Sequence, residues 1–153
     1  MIALSDSQIA SFWHNSYTRV DGLWCVKVEE KYGFDVALSI DNEVWKVLPK
    51  IQARMLKTMG GTGDGLEGLF NCLTTKLKLE GFDYETRRDS DNTGFKIIMK
   101  RCPWHDVMVK SGRIALSGKV GSLICNTEYS AWASEFGRDI NFKLEEQMMI
   151  ASQ

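Results

Sequence analysis

The sequence predicts an α+β fold in which helices pack on one face of a small antiparallel sheet, in the order helices, hairpin, helices, strand. Three observations predict it. Apolar residues recur at helical spacing up to about residue 80, the period drops to two at Phe82, Tyr84 and Thr86 and again at Phe95, Ile97 and Met99, and helical spacing returns after Pro103. Runs of helices followed by a hairpin segregate helix and sheet into separate layers. At 153 residues the chain is long enough to bury most of its unfolded surface as one domain, spanning 1–153, with a helical half at about 5–80 and the hairpin, later helices and last strand at about 82–145.

The first helix starts at a capping box, Ser5 with Gln8, ahead of a stripe at Ile9, Phe12, Trp13, Tyr17, Val20, Trp24 and Val28. Gly33 supplies its stop, and Gly22 is a place where it can divide. Asp35 or Asp41 caps a second helix carrying Val44, Trp45, Leu48, Ile51, Met55 and Leu56. Pro49 would cost that helix a hydrogen bond, which predicts a kink or a later start. Gly60-Gly-Thr-Gly-Asp-Gly65 is the clearest break, and Leu66, Leu69, Phe70, Leu73 and Leu77 follow as a helix ending at Gly81.

Residues 82–86 and 95–99 then read as a hairpin with one apolar and one charged face, joined by a polar loop that ends at Gly94. Pro103 fits the first turn of a short helix that runs towards Gly112. Leu123, Ile124, Trp132 and Phe136 mark another helix that closes at Gly137, and Ile140, Phe142 and Leu144 alternate as a third strand.

Composition narrows the function. Apolar residues make up 44% and charged residues 25%, with 19 basic against 20 acidic side chains and a net charge of −1. That balance excludes the basic footprint of a nucleic-acid binder and gives no polybasic segment for a membrane surface. The N-terminus has neither the basic nor the long apolar region of a signal peptide, and no apolar run reaches the roughly 18–20 residues that cross a bilayer. The four cysteines therefore read as reduced thiols in a cytoplasmic protein.

The chemistry-bearing side chains gather between Cys102 and Tyr129. Cys102 and His105 are three apart at the start of one helix, and Cys125 and Glu128 are three apart in another. Residues at that spacing share a helix face. Two such pairs meeting at one point would offer mixed sulphur, nitrogen and oxygen ligands to a transition metal such as zinc or iron. A Cys-Pro thiolate on haem is a further option. The same groups would equally suit thiol hydrolysis, with Cys102 activated at a helix N-terminus, His105 as base and Glu128 as orienter or proton shuttle. The hydrolase would act on a cyclic C–N or C–S substrate; the alternative is that Cys125 is a core thiol, Cys102 fills a strand end and His105 is solvated, in an interaction subunit with no chemistry.

Gly63-x-Gly65-x-x-Gly68 has the spacing of a dinucleotide-type glycine loop. No strand precedes it, so a plain connection is the stronger reading. Cys25 and Cys72 lie on or beside helical stripes and read as core.

The strings Asp21-Gly-Leu-Trp24, Val28-Glu-Glu-Lys-Tyr-Gly33, Asp41-x-x-Val44-Trp45 and Glu128-Tyr-x-x-Trp132-Ala133 resemble a prokaryotic family allied to the amino-thiazoline-carboxylate hydrolase-like proteins. That group is distantly similar to vinyl-reductase-type small-ligand domains. The resemblance implies a helix-covered antiparallel sheet, a pocket for a small molecule or metal, and a homodimer. Carried over by position, it points to Asp21, Cys102, Cys125 and Glu128, and with the aromatic Trp24 and Tyr129 it outlines a ligand site. It also implies a further strand at Met148–Gln153, whose absence would leave a sheet edge for a dimer partner to cover.

Overall fold

The computed structural model of the chain describes residues 2–145. The order is α1 (Asp6–Tyr32), α2 (Phe34–Trp45), α3 (Leu48–Gly60), α4 (Gly65–Leu79), β1 (Asp83–Arg88), β2 (Phe95–Arg101), α5 (Pro103–Lys110) and α6 (Ile114–Ser134). The fold is α+β, mostly helical, with a two-stranded antiparallel sheet. The chain divides into two compact units, Met1–Asp41 and Asn42–Gln153.

In the first unit α1 is continuous through Gly22. The Ser5 backbone N–H donates to the Gln8 side-chain oxygen at 2.9 Å, and the Gln8 N–H donates to the Ser5 hydroxyl at 3.4 Å. This reciprocal pair satisfies two of the donors that every helix start leaves open. Gly33, at φ 88°, ends the helix in a conformation that favours glycine, and its N–H donates to Glu29 O. Val28 is the one buried residue among the 27 of α1.

The expected second helix is two helices, and α2 begins in the first unit and ends in the second. Lys46 and Val47 separate α2 from α3, and Pro49 lies in the first turn of α3, where its missing N–H costs nothing. α3, α4 and α6 enclose the core: Ala53, Leu69, Cys72, Leu73, Leu77, Tyr129, Trp132, Ala133 and Phe136. The hairpin lays Phe82, Tyr84, Phe95, Ile97 and Met99 on that core. Its register pairs Tyr84 with Met99 and Thr86 with Ile97. The Tyr84 hydroxyl donates to Thr74 O at 2.8 Å, which ties the hairpin to α4. Arg54 donates two hydrogen bonds to the Glu135 carboxylate, at 2.7 and 2.9 Å, and so links α3 to the end of α6.

Two sequence expectations are corrected. The later helix begins at Ile114, well before Leu123. The polar and small residues of its first half (Ser117, Gly118, Lys119, Gly121, Ser122) conceal the helical period there. Residues 138–145 form no strand. Their alternation is nonetheless a true burial pattern, because Ile140, Phe142 and Leu144 are half-buried while Asn141, Lys143 and Glu145 are exposed. Ile140 and Phe142 pack on the helical core without pairing to the hairpin. The strand expected at Met148–Gln153 lies outside the described residues.

Candidate functional site

The chemistry-bearing region is organised by a residue the spacing argument passed over, Lys76. On α4 the positions Leu69, Cys72, Leu73, Lys76 and Leu77 form one buried stripe, and Glu80 continues it just past the helix end. A lysine in the phase of core leucines must bring its own counter-charge, since burying an isolated ammonium is very costly. It has two. Its Nζ lies 2.9 Å from Glu80 Oε2, one turn along, and also pairs with Glu128 Oε1 from α6. Gln52 of α3 reaches Glu80 at 3.5 Å. The Phe82 ring lies 5.4 Å and the Tyr129 ring 6.0 Å from the ammonium, within cation–π range.

Glu128 is buried because Ile124, Tyr129 and Trp132 on the same helix face the core. Burial opposes the charge of Lys76, but Glu128 and Glu80 together outweigh it and hold its pKa above the ordinary lysine value. Burial raises the pKa of Glu128 above the usual carboxylate range, against the pull of Lys76. The causes differ: Lys76 is raised by its two carboxylates in spite of its burial, whereas Glu128 is raised first by its burial, with Glu80 adding to it.

Cys102, Cys125 and Tyr129 belong to the same neighbourhood, each within electrostatic reach of Glu128. The sequence expectation for Cys102 is corrected here. The backbone N–H groups of His105 and Trp104, at the start of α5, do favour its thiolate, but burial is the larger influence and raises the thiol pKa. Burial, followed by Glu128 and Cys102, pushes Cys125 up to about 12. Burial also lifts Tyr129 well above its ordinary value. Near neutral pH these are protonated, weakly nucleophilic groups. In the folded chain at pH 8, alkylation of Cys102 and Cys125 is therefore expected to be far slower than after unfolding, as followed by mass spectrometry. Labelling of Cys102 as fast as a free thiol would contradict this.

The remaining candidates are placed as follows. His105 meets the cluster through its backbone N–H at the Cys102 sulphur. Asp21 and Trp24 lie on α1 in the first unit, with Trp24 60% exposed. Among the described residues no three His, Cys, Asp or Glu side chains come together to hold a metal ion. Glu128, the carboxylate expected to serve as ligand or orienter, is engaged by Lys76 instead.

The glycine pattern has a packing explanation. A Cβ on Gly68 would lie 2.0 Å from Gly63 O and 3.2 Å from the Phe136 ring, so Gly68 is where the loop crosses its own helix. Gly65, at φ 89°, makes the turn into α4, and its N–H donates to Phe136 O at 2.7 Å. That N–H, which a phosphate would need, is already used.

The other distinctive surface is on α1. Ile9, Phe12, Trp13, Val20, Leu23 and Trp24 are all exposed, between 42% and 67%. They occupy one face of the helix when it is projected at 3.6 residues per turn, and Val28, one turn after Trp24, lies at the edge of that face.

The chain belongs to a family of unknown function, DUF6125, whose model matches residues 6–150. No curated protein and no solved structure matches it.

Proposed function

We propose that this chain is a non-catalytic assembly module that binds another protein chain through the apolar face of α1. One observation carries the reading: a 27-residue helix with a single buried residue presents six large apolar side chains to solvent. Contiguous exposed apolar surface on this scale marks a protein-binding face. Trp and Phe are also the residue types that anchor interfaces. The groups around Lys76 serve the fold in this reading, since Lys76 is neutralised by its carboxylates and the two thiols are held protonated. No helix among the described residues is long and apolar enough to cross a membrane.

The test is the double variant Trp13→Ser, Leu23→Ser, unfolded in denaturant at high dilution. A docking face gives a change of about 0.5 kcal/mol or less per site. A loss of about 2–5 kcal/mol would make the stripe part of the chain's own core and sink the reading.

A second reading, binding of a small polar ligand near Lys76, is favoured by a specific observation. Gln52 Oε1 and Trp132 Nε1 are buried with no hydrogen-bond partner, and buried polar atoms normally have one. The resemblance to vinyl-reductase-type small-ligand domains points the same way, with Cys102, Cys125, Glu128 and Tyr129 around the ligand. Comparing native with denatured mass spectra of freshly purified protein tests it. Equal masses would remove this reading, and the hydrolase resemblance would then have no bound substrate or metal to rest on.

A further inference from the structure

We infer that the partner of α1 is a second copy of this chain, docked antiparallel through the same face about a two-fold axis at residue 18. The inference rests on the assembly reading above and names its partner. The stripe has a symmetry that a face for an unrelated partner does not need. Four of its six residues fall at positions related about residue 18, 12 with 24 and 13 with 23, and the same relation sets Ile9 against Lys27 and Val20 against Ser16. An isologous interface requires this relation, in which residue i of one copy meets residue j of the other and j meets i.

The steps 9, 13, 16, 20, 23 and 27 alternate four and three, which is the spacing of a coiled-coil seam. Superposed antiparallel, Trp13 of each copy faces Leu23 of the other, while Phe12 and Trp24 flank the seam on its two sides. Ser16, the small residue near the axis, faces Val20 and lets the backbones approach. Ile9 faces the aliphatic stem of Lys27, which can cover it while its ammonium stays in water.

The areas agree. At their fractional exposures the six apolar side chains offer on the order of 800 Å² per copy, the share that a standard interface takes from each partner. An anionic membrane is a poorer match, because α1 carries four acidic side chains (Asp6, Asp21, Glu29, Glu30) against three basic ones (Arg19, Lys27, Lys31). Surface-binding helices are rich in lysine and arginine on the polar face.

The test is sedimentation equilibrium of the full chain from nanomolar to high micromolar concentration, with Trp13→Glu and Leu23→Lys measured singly and mixed. The wild type should rise from 17.4 kDa to twice that mass, and each single variant should stay monomeric. The mixture should recover the doubled mass, because a mixed pair has one native Trp13–Leu23 contact and one Glu–Lys contact. Unfolding of the second unit, read from the fluorescence of its tryptophans, should be unchanged in both variants.

A wild type that is monomeric throughout overturns the inference and leaves α1 to a different protein. A dimer whose single variants associate normally places the interface elsewhere. Single variants that are monomeric but fail to rescue one another exclude the antiparallel register, since parallel helices would set 13 against 13. In none of these cases does the cost of the serine variants change, so failure here is distinguishable from failure of the assembly reading.

Discussion

Replacing Lys76 by methionine should destabilise the second unit by about 3–5 kcal/mol, the cost of leaving a buried charge without its partner. Lys76 is 3% exposed and lies between Glu80 and Glu128, which are 8% and 5% exposed. Without the ammonium, two carboxylates share one buried site with no cation. Glu128→Gln should cost much less, because Lys76 keeps Glu80 and the trio becomes a matched pair. Denaturant unfolding at pH 7 checks both, and equal losses in the two variants would contradict this charge count.

The pH dependence follows from the same trio. Lys76 and Glu128 both have folded-state pKa values raised above the ordinary ones. A raised pKa means the folded state holds its proton more tightly, so the contribution is complete at low pH and is lost as pH rises. For Glu128 the loss begins above the ordinary carboxylate range and ends at its raised pKa; for Lys76 it comes above the ordinary lysine range. The exposed carboxylates Glu67, Asp91 and Glu145, paired with Arg88, Thr93 and Lys96, are shifted down instead, and their small contribution disappears as pH falls. Glu128→Gln should therefore remove the decline on the neutral side and leave the acid limb unchanged.

Replacing Gly68 by alanine should cost about 3 kcal/mol, at the upper end of overpacking effects. Helix propensity argues the opposite sign, since alanine in a helix interior gains about 1 kcal/mol over glycine. Packing decides here, because the new methyl would sit 2.0 Å from the Gly63 carbonyl oxygen and 3.1 Å from its carbon. Both are backbone atoms that cannot rotate away, and the ring of Phe136 closes the other side. Gly118→Ala in α6 is the control, as its Cβ would meet nothing within 4 Å. Thermal unfolding should show opposite signs at the two sites. A neutral Gly68→Ala would mean that the 61–65 loop yields freely.

These cases show what was legible in the sequence. The capping box at Ser5, the stop at Gly33, an interruption near Pro49 and the hairpin at 82–99 were all readable, because each depends on local backbone chemistry. The strand expected at 140–144 was not legible as what it is. Period-two alternation reports which side chains are buried, and it reads the same whether the chain pairs with a sheet or lies on helices. The candidate site was half legible. Cys102, Cys125, Glu128 and Tyr129 do share a neighbourhood, but its organiser, Lys76, is 26 positions before Cys102. The signal was present in the stripe Leu69, Leu73, Leu77, where a lysine and a glutamate at i, i+4 occupy the core phase. The lowered thiol pKa expected from a helix start failed because burial, a tertiary property, outweighs two backbone N–H groups. The stripe on α1 was legible as apolar, while its exposure was not, since periodicity fixes a face without saying what covers it.

Hydrogen exchange measured across protein concentration tests most directly whether α1 is held by a second copy of the chain. A helix owes most of its stability to what its apolar face packs against. Amides of residues 6–32 should therefore gain protection as concentration rises, while those of α4 and α6 stay equally protected throughout. Protection of α1 that is high and independent of concentration would mean its apolar face is covered within its own chain, and would contradict the account.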